Sequence, residues 1–340
     1  MTKIALAIHG GAGTILKSAM TPELEAEYRG GLENALRIGW EILQNGGSSL
    51  DTVEATVAAL EDFPLFNAGR GSVFTHEGHN EMDAAIMDGR NLKAGAVAFV
   101  RNIKNPVKLA RLVMEKTEHV LLAGEGAIQF AEEMKVELAD DSYFYTDHRW
   151  KQLEEAIAAG RVQLDHSAPS SPPFKGGVAS ASDDGVVADG VVLPDPQSAL
   201  RTPQLKGTVG AVACDIDGNL AAATSTGGMT NKKFGRIGDT AIIGSGTYAD
   251  EVCAVSCTGH GEFFQRAVTA YDLAARMKYK GLGLEDAARE TIEHLTKIGG
   301  EGGLIAVDAK GNLVLPFNSE GMYRGSITEK GEYKIEIYRL

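Results

Sequence analysis

Gly207-Thr208-Val209-Gly210-Ala211-Val212-Ala213 constrains this chain more than any other stretch. The residues leading up to it, from Leu164 onward, include Ser167-Ala168-Pro169-Ser170-Ser171-Pro172-Pro173, then Pro194, Pro196 and Pro203. That is linker composition, and 164–207 is expected to be flexible rather than packed. At Val209 the text turns at once into an apolar run of strand length. Thr208 stands on the boundary. A cut in the bond before it would leave Thr208 with a free α-amino group beside its own hydroxyl, so nucleophile and base would share one residue. The same letters also suit an ordinary Gly-Thr strand start, so the rest of the chain must decide.

A chain of 340 residues, 44% hydrophobic and with 41 glycines, reads as a soluble α/β protein rich in tight turns. Its net charge of -13 argues against a sequence-independent grip on nucleic acid or on an anionic membrane. Cys214, Cys253 and Cys257 are odd in number and form no C-x-x-C, which suggests buried thiols in a reducing compartment. Met1 to Ile8 reads as a first strand, not a signal segment, and no apolar run reaches transmembrane length. A cytoplasmic location is expected.

The pattern predicts a helix from Thr21-Pro22 to about Asn45, stopped by Gly46-Gly47, and a second from Ser49 to about Asp62. His76-Glu77-Gly78-His79, with Glu81 and Asp83, looks like a metal cluster, but Gly78 would break the helix needed to align the histidines. A polar hairpin connection fits better. Paired strands are expected over 81–87 and 94–100, a helix from Pro106 to about Lys116, a short buried strand at 120–122, and helices over 125–135 and 147–159. After Thr208, strands are expected at 209–214, 220–224, 242–246 and 254–257, and helices at 263–278 and 284–297. A hairpin over 302–317 and two further strands follow. The order suits two mostly antiparallel central sheets with helical layers outside. The glycines of His9-Gly10-Gly11-Ala12-Gly13 lack the spacing of a dinucleotide or P-loop motif and suit a close backbone approach.

An amidase built on Thr208 would need a hydroxyl neighbour, oxyanion donors and a substrate clamp. Thr226, in a small-residue loop beyond the adjoining hairpin, is a candidate neighbour. Thr258 and Gly259, where a strand runs into a helix, can offer a hydroxyl and an N–H to one oxygen. Arg236 can take a carboxylate in two bonds and Asp239 an ammonium, which together describe a free amino acid. Each has a plainer reading: a turn hydroxyl, a helix cap, a surface ion pair. Asn67, between apolar neighbours, reads most simply as a turn residue.

These stretches, together with Thr224-Ser225-Thr226-Gly227-Gly228-Met229, Phe66-Asn67-Ala68-Gly69 and Pro316-Phe317-Asn318-Ser319-Glu320-Gly321-Met322, resemble the plant-type asparaginase / isoaspartyl peptidase family along nearly the whole chain. The resemblance implies an N-terminal-nucleophile hydrolase with an α/β, four-layer αββα sandwich. It implies self-cleavage between Gly207 and Thr208 into an α subunit (1–207) and a β subunit (208–340), which reassemble as α2β2. It implies hydrolysis of β-aspartyl dipeptides and L-asparagine. Thr208 would be the nucleophile, Thr226 its partner, Thr258 and Gly259 the oxyanion hole, Arg236 and Asp239 the substrate clamp, with Asn67 beside the nucleophile. No cofactor is required, but a structural sodium is implied on the backbone carbonyls of Leu60, Glu61, Phe63, Phe66, Ala68 and Arg70. The 167–206 stretch carries no motif of the family. Rival readings are a glycosylasparaginase or threonine endopeptidase of the same fold, and an uncut, non-catalytic binding protein.

Overall fold

The computed structural model describes residues 3–160, 162, 207–331 and 333–339. The expected linker lies outside the described residues apart from its last residue, Gly207. Strand β1 (Ala5–Gly13) is followed by helices α1 (Pro22–Gln44) and α2 (Ser49–Glu61). Thr21 caps α1 by accepting from Leu24 N–H at 3.3 Å, with Pro22 at the first turn. Ser48 caps α2 by accepting from Asp51 N–H at 3.1 Å. Next come β2 (Met82–Asp88), β3 (Lys93–Val100), α3 (Pro106–Lys116), β4 (Leu121–Ala123), α4 (Gly124–Glu133), α5 (Asp141–Phe144) and α6 (Asp147–Ala158).

The segment after Thr208 supplies β5 (Val209–Cys214), β6 (Leu220–Thr226), β7 (Thr247–Ala249), β8 (Cys253–Gly259), α7 (Gly261–Ala267), α8 (Thr269–Lys280) and α9 (Leu284–Lys297). It ends with β9 (Gly302–Asp308), β10 (Leu313–Val314), β11 (Gly321–Thr328) and β12 (Tyr333–Tyr338).

Eight strands form one sheet in the order β12-β11-β1-β5-β6-β2-β3-β4, and four form a second, β10-β9-β8-β7. All pairs are antiparallel except β3 with β4. The expectation of mostly antiparallel sheets is met. Because successive side chains of a strand face opposite sides, each strand of the first sheet feeds two cores. Leu6, Ile8, Ala211, Ala213, Ala221 and Ala223 face α1, α2 and α3. Ala5, Ala7, Val212, Cys214, Leu220 and Ala222 face β8 and β9, behind which α8 and α9 pack. Continuing the same alternation, His9, Thr208, Gly210, Thr224 and Thr226 fall on the side between the sheets. The polar residues of the site are therefore collected at one end of the inter-sheet layer.

Several local expectations change. Residues 242–246 form no strand. Turns carry Ile242 N–H to Asp239 O (2.9 Å) and Ser245 N–H to Ile242 O (2.9 Å), and the strand starts only at Thr247. The single helix expected over 263–278 is broken at Val268, whose φ of 49° is left-handed, an unfavourable conformation for a β-branched residue. The break lets Ala270 and Tyr271 N–H donate to Ser245 O and Gly244 O at 3.1 and 2.8 Å, which fixes the turn preceding β7. The 120–122 strand is an edge strand with Leu121 exposed, not buried. The hairpin reading of 76–79 agrees with the Phe74–Asn80 bridge, and no cluster of three His, Cys, Asp or Glu that could hold a metal occurs among the described residues.

Candidate active site

Thr208 is the residue just before β5, and Gly207 ahead of it has φ 67°, a left-handed backbone suited to glycine. Thr208 Oγ1–H donates to Thr226 Oγ1 at 3.1 Å, and Gly228 N–H donates to the same oxygen at 3.0 Å. The sequence-predicted pair is thus in contact. Asn67 is buried and holds the loop that follows Thr226. Its Nδ2–H donates to Gly228 O at 2.8 Å, its Oδ1 accepts from Val73 N–H at 2.9 Å, and its own carbonyl accepts from Gly227 N–H at 3.0 Å. Asn67 therefore does more than turn the chain. It braces the loop that presents Thr226 to Thr208.

A pocket opens here, lined by Gly207, Thr208, Thr226, Arg236, Asp239 and Gly259 among others. Thr258 is fully buried, and its Oγ1 has no hydrogen-bond partner among the described residues. Asp239 is 4% exposed, and its Oδ2 likewise has no partner. Burial pushes the Asp239 carboxyl up to about 7, against the opposing pull of Arg236. Unpaired buried polar atoms are expensive, and at a pocket wall, where Asp239 stands, they mark positions a ligand would satisfy; Thr258 lies behind its neighbour Gly259, which lines the pocket.

Arg236 and Asp239 do not form an ion pair with each other. Arg236 instead makes a two-pronged bond to Glu262, Nε to Oε1 and Nη2 to Oε2, both at 2.9 Å. Burial would raise the Glu262 carboxyl, but the guanidinium overrides it and holds it below the usual range. Glu262 orients Arg236, a role no sequence signal suggested because the pair lies 26 residues apart. Lys232 was also missed. It is buried in the same loop, its Nζ donates to Glu81 O at 2.7 Å, and burial pulls its pKa down.

Behind Thr208 runs a fully buried polar column. A carbonyl can only accept, so His9 Nδ1–H donates to Thr208 O at 3.0 Å, and the unprotonated Nε2 accepts from Ser256 Oγ–H at 2.8 Å. Ser256 Oγ lies 2.7 Å from Thr224 Oγ1, which accepts from Thr247 Oγ1–H at 2.7 Å. Burial drives His9 down to about 3, so the ring is neutral. The period of a strand places Ser256 on the same face as Thr258, so that much was legible in the sequence. The expectation of close backbone approach at the first glycines also holds, since a Cβ on Gly10 would meet the Phe66 ring at 2.4 Å.

The three cysteines are buried and unpaired, and burial pushes Cys214 up to about 12 and the other two well above their usual value. None is a nucleophile in this setting.

In the loop implied for sodium, Leu60 and Glu61 are the last residues of α2. A Cβ on Gly69 would lie 2.4 Å from Glu61 O, and one on Gly71 2.1 Å from Phe66 O, so the backbone of the loop passes close to itself there. Leu60, Phe63 and Ala68 carbonyls also accept N–H bonds from Phe63, Phe66 and Gly71 at 3.2, 3.4 and 3.2 Å, and Leu60 O accepts from Asp62 N–H as well. Arg70 turns aside over the Tyr143 ring, 5.5 Å from its centre. Backbone carbonyls are the kind of oxygen donor a hard cation takes.

A family model described as Asparaginase covers residues 2–337, and the chain belongs to that family. Among its relatives, the isoaspartyl peptidase of Salmonella typhimurium is 48% identical over 95% of this chain and 95% of its own. The isoaspartyl peptidase/L-asparaginase of Xenopus laevis is 43% identical, over 99% and 96%. The plant-type L-asparaginase of Pyrococcus abyssi is 41% identical, over 94% of each.

Proposed function

We propose that this protein is an amidohydrolase that cuts β-aspartyl dipeptides and L-asparagine to release L-aspartate, using Thr208 as an N-terminal nucleophile. The observation carrying the reading is the Thr208–Thr226 hydroxyl contact in a pocket that also contains Gly207 and the unpaired Asp239 Oδ2. The two sheets with helices on their outer faces would be the αββα sandwich of the N-terminal-nucleophile hydrolases. Residues 1–207 and 208–340 would be its α and β subunits, paired again as α2β2. Three buried thiols suit a cytoplasmic setting.

In the precursor, Thr208 Oγ attacks the Gly207 carbonyl. The C–N bond breaks, the nitrogen gains the proton, and an ester joins Gly207 to Thr208 Oγ. Water then opens the ester, leaving a Gly207 carboxylate and a free Thr208 amine. In turnover this amine, of a type that ordinarily titrates at about 7.7–8.0, takes the Oγ proton as the oxygen attacks the side-chain amide of the substrate. Thr226 holds Oγ by hydrogen bonding, and Thr258 Oγ1–H with Gly259 N–H stabilises the oxyanion. The amine returns its proton to the departing ammonia or amino acid, and water releases aspartate. Arg236, held by Glu262, binds the substrate α-carboxylate, and Asp239 its ammonium. The carbonyls of Leu60, Glu61, Phe63, Phe66, Ala68 and Arg70 would hold a sodium ion that stiffens the loop before Asn67.

The test is to assay ammonia from asparagine and free amino acid from a β-aspartyl dipeptide. Wild type should give both products and Thr208→Ala neither. Turnover by Thr208→Ala would end the proposal.

A further inference from the structure

We propose that His9 is the positioning residue of the nucleophile: its imidazole, set in one tautomer by the Thr208 carbonyl and anchored by Ser256, ties the main chain of Thr208 to the second sheet and keeps the freed strand end aligned for attack. This rests on the reading of Thr208 as nucleophile. The pairing of β5 with β1 ends at Gly210 opposite His9, and its pairing with β6 ends at Val209 opposite Ser225. Thr208 therefore lies beyond both ladders. Once the bond before it is cut, it becomes a chain terminus, and termini fray unless tied down. The carbonyl that His9 holds sits on the retained side of the cut bond, between Thr208 and Val209, so the tether survives cleavage.

The proton positions in this column follow from its chemistry. Thr208 O can only accept, so Nδ1 carries the hydrogen and Nε2 must accept from Ser256. Ser256 belongs to the second sheet and His9 to the first, so the bond fixes the two sheets against each other at the site. The column continues through Thr224 to Thr247, whose Oγ1 also lies 3.2 Å from the carbonyl of Thr240, the neighbour of Asp239.

Gly210 supplies independent support. A Cβ there would lie 2.0 Å from Ser256 Oγ and 2.4 Å from His9 Nε2. The glycine two residues after the nucleophile is the space in which the imidazole and the hydroxyl meet.

The test uses the full chain carrying His9→Asn, His9→Gln, His9→Ala or Gly210→Ala, with wild type alongside. The amide nitrogen of Asn takes the place of Nδ1 and still donates to Thr208 O, whereas that of Gln reaches toward Ser256. Two quantities are read: the rate at which a fragment beginning at Thr208 appears, and kcat and KM of the matured protein.

His9→Ala, His9→Gln and Gly210→Ala should each lose about 100-fold in kcat with KM changed less than about threefold, and should each mature more slowly than wild type. His9→Asn should recover to within about tenfold of wild type. A role in packing alone predicts that Asn does no better than Gln, or that KM rises as kcat falls, and either result overturns the proposal. So does wild-type turnover in all four. An uncut wild type would instead remove the threonine reading, and this inference with it, whereas a cut and active wild type with indifferent variants removes only the role of His9.

Discussion

Asp239→Asn should make the protein more stable at pH 8 and less stable at pH 4. The Asp239 carboxyl sits at about 7 because of burial, against an ordinary value of 3.8. Ionising it in the folded chain therefore costs roughly 4 kcal/mol more than in the unfolded one. Between those two pH values the folded form keeps a proton that the unfolded form has lost, so stability falls as pH rises through this window. Above about 7 the whole loss is present. The amide of the variant carries no charge, but it places an N–H₂ or carbonyl group where Oδ2 has no partner, which costs about 1–3 kcal/mol. The net expectation is a gain of roughly 1–3 kcal/mol at pH 8, or about 1–4 °C in melting temperature for a chain of this length, and a comparable loss at pH 4. The comparison belongs in a Thr208→Ala background, where each sample is one uncut chain. The matching functional result is a wild-type KM for asparagine that falls as pH rises to about 7 and then levels, with the slope absent and binding about 10–100-fold weaker in Asp239→Asn. A stability change of one sign at both pH values, or a flat wild-type KM between pH 5.5 and 7.5, would refute a buried carboxylate waiting for an ammonium.

Two shorter predictions concern the nucleophile's surroundings. Thr226→Val keeps the shape but leaves Thr208 Oγ1–H and Gly228 N–H without their acceptor, so kcat should fall by about 100–1,000-fold with KM little changed; a kcat within threefold of wild type would exclude Thr226 from the chemistry. Replacing sodium with choline at constant ionic strength should lower the melting temperature of the mature protein, because the carbonyls of the Leu60–Arg70 loop would lose their cation; an unchanged melt would argue against the ion.

Much of this architecture is legible in the sequence. The helix cap at Thr21 and the two-residue period of the strands are local signals, and the strand period places Thr208 and Thr226 on one face. The break at Val268 was not legible, because the left-handed turn is stabilised by the carbonyls of Gly244 and Ser245, distant in sequence. The strand expected at 242–246 failed for the same tertiary reason, combined with a left-handed turn at Gly244, whose φ is 92°. In the site, the residue types and their order singled out Thr208, Thr226, Arg236 and Asp239, which line one pocket, but not their partners. Glu262 binds Arg236 from another element, and His9 meets Ser256 only because two sheets stack. Such cross-element contacts leave no periodic trace in a single sequence.

The most direct measurement is intact mass together with N-terminal sequencing of purified, active protein. Two fragments are expected, one of them beginning at Thr208. Active material that remains a continuous chain through Gly207 and Thr208 would contradict the account.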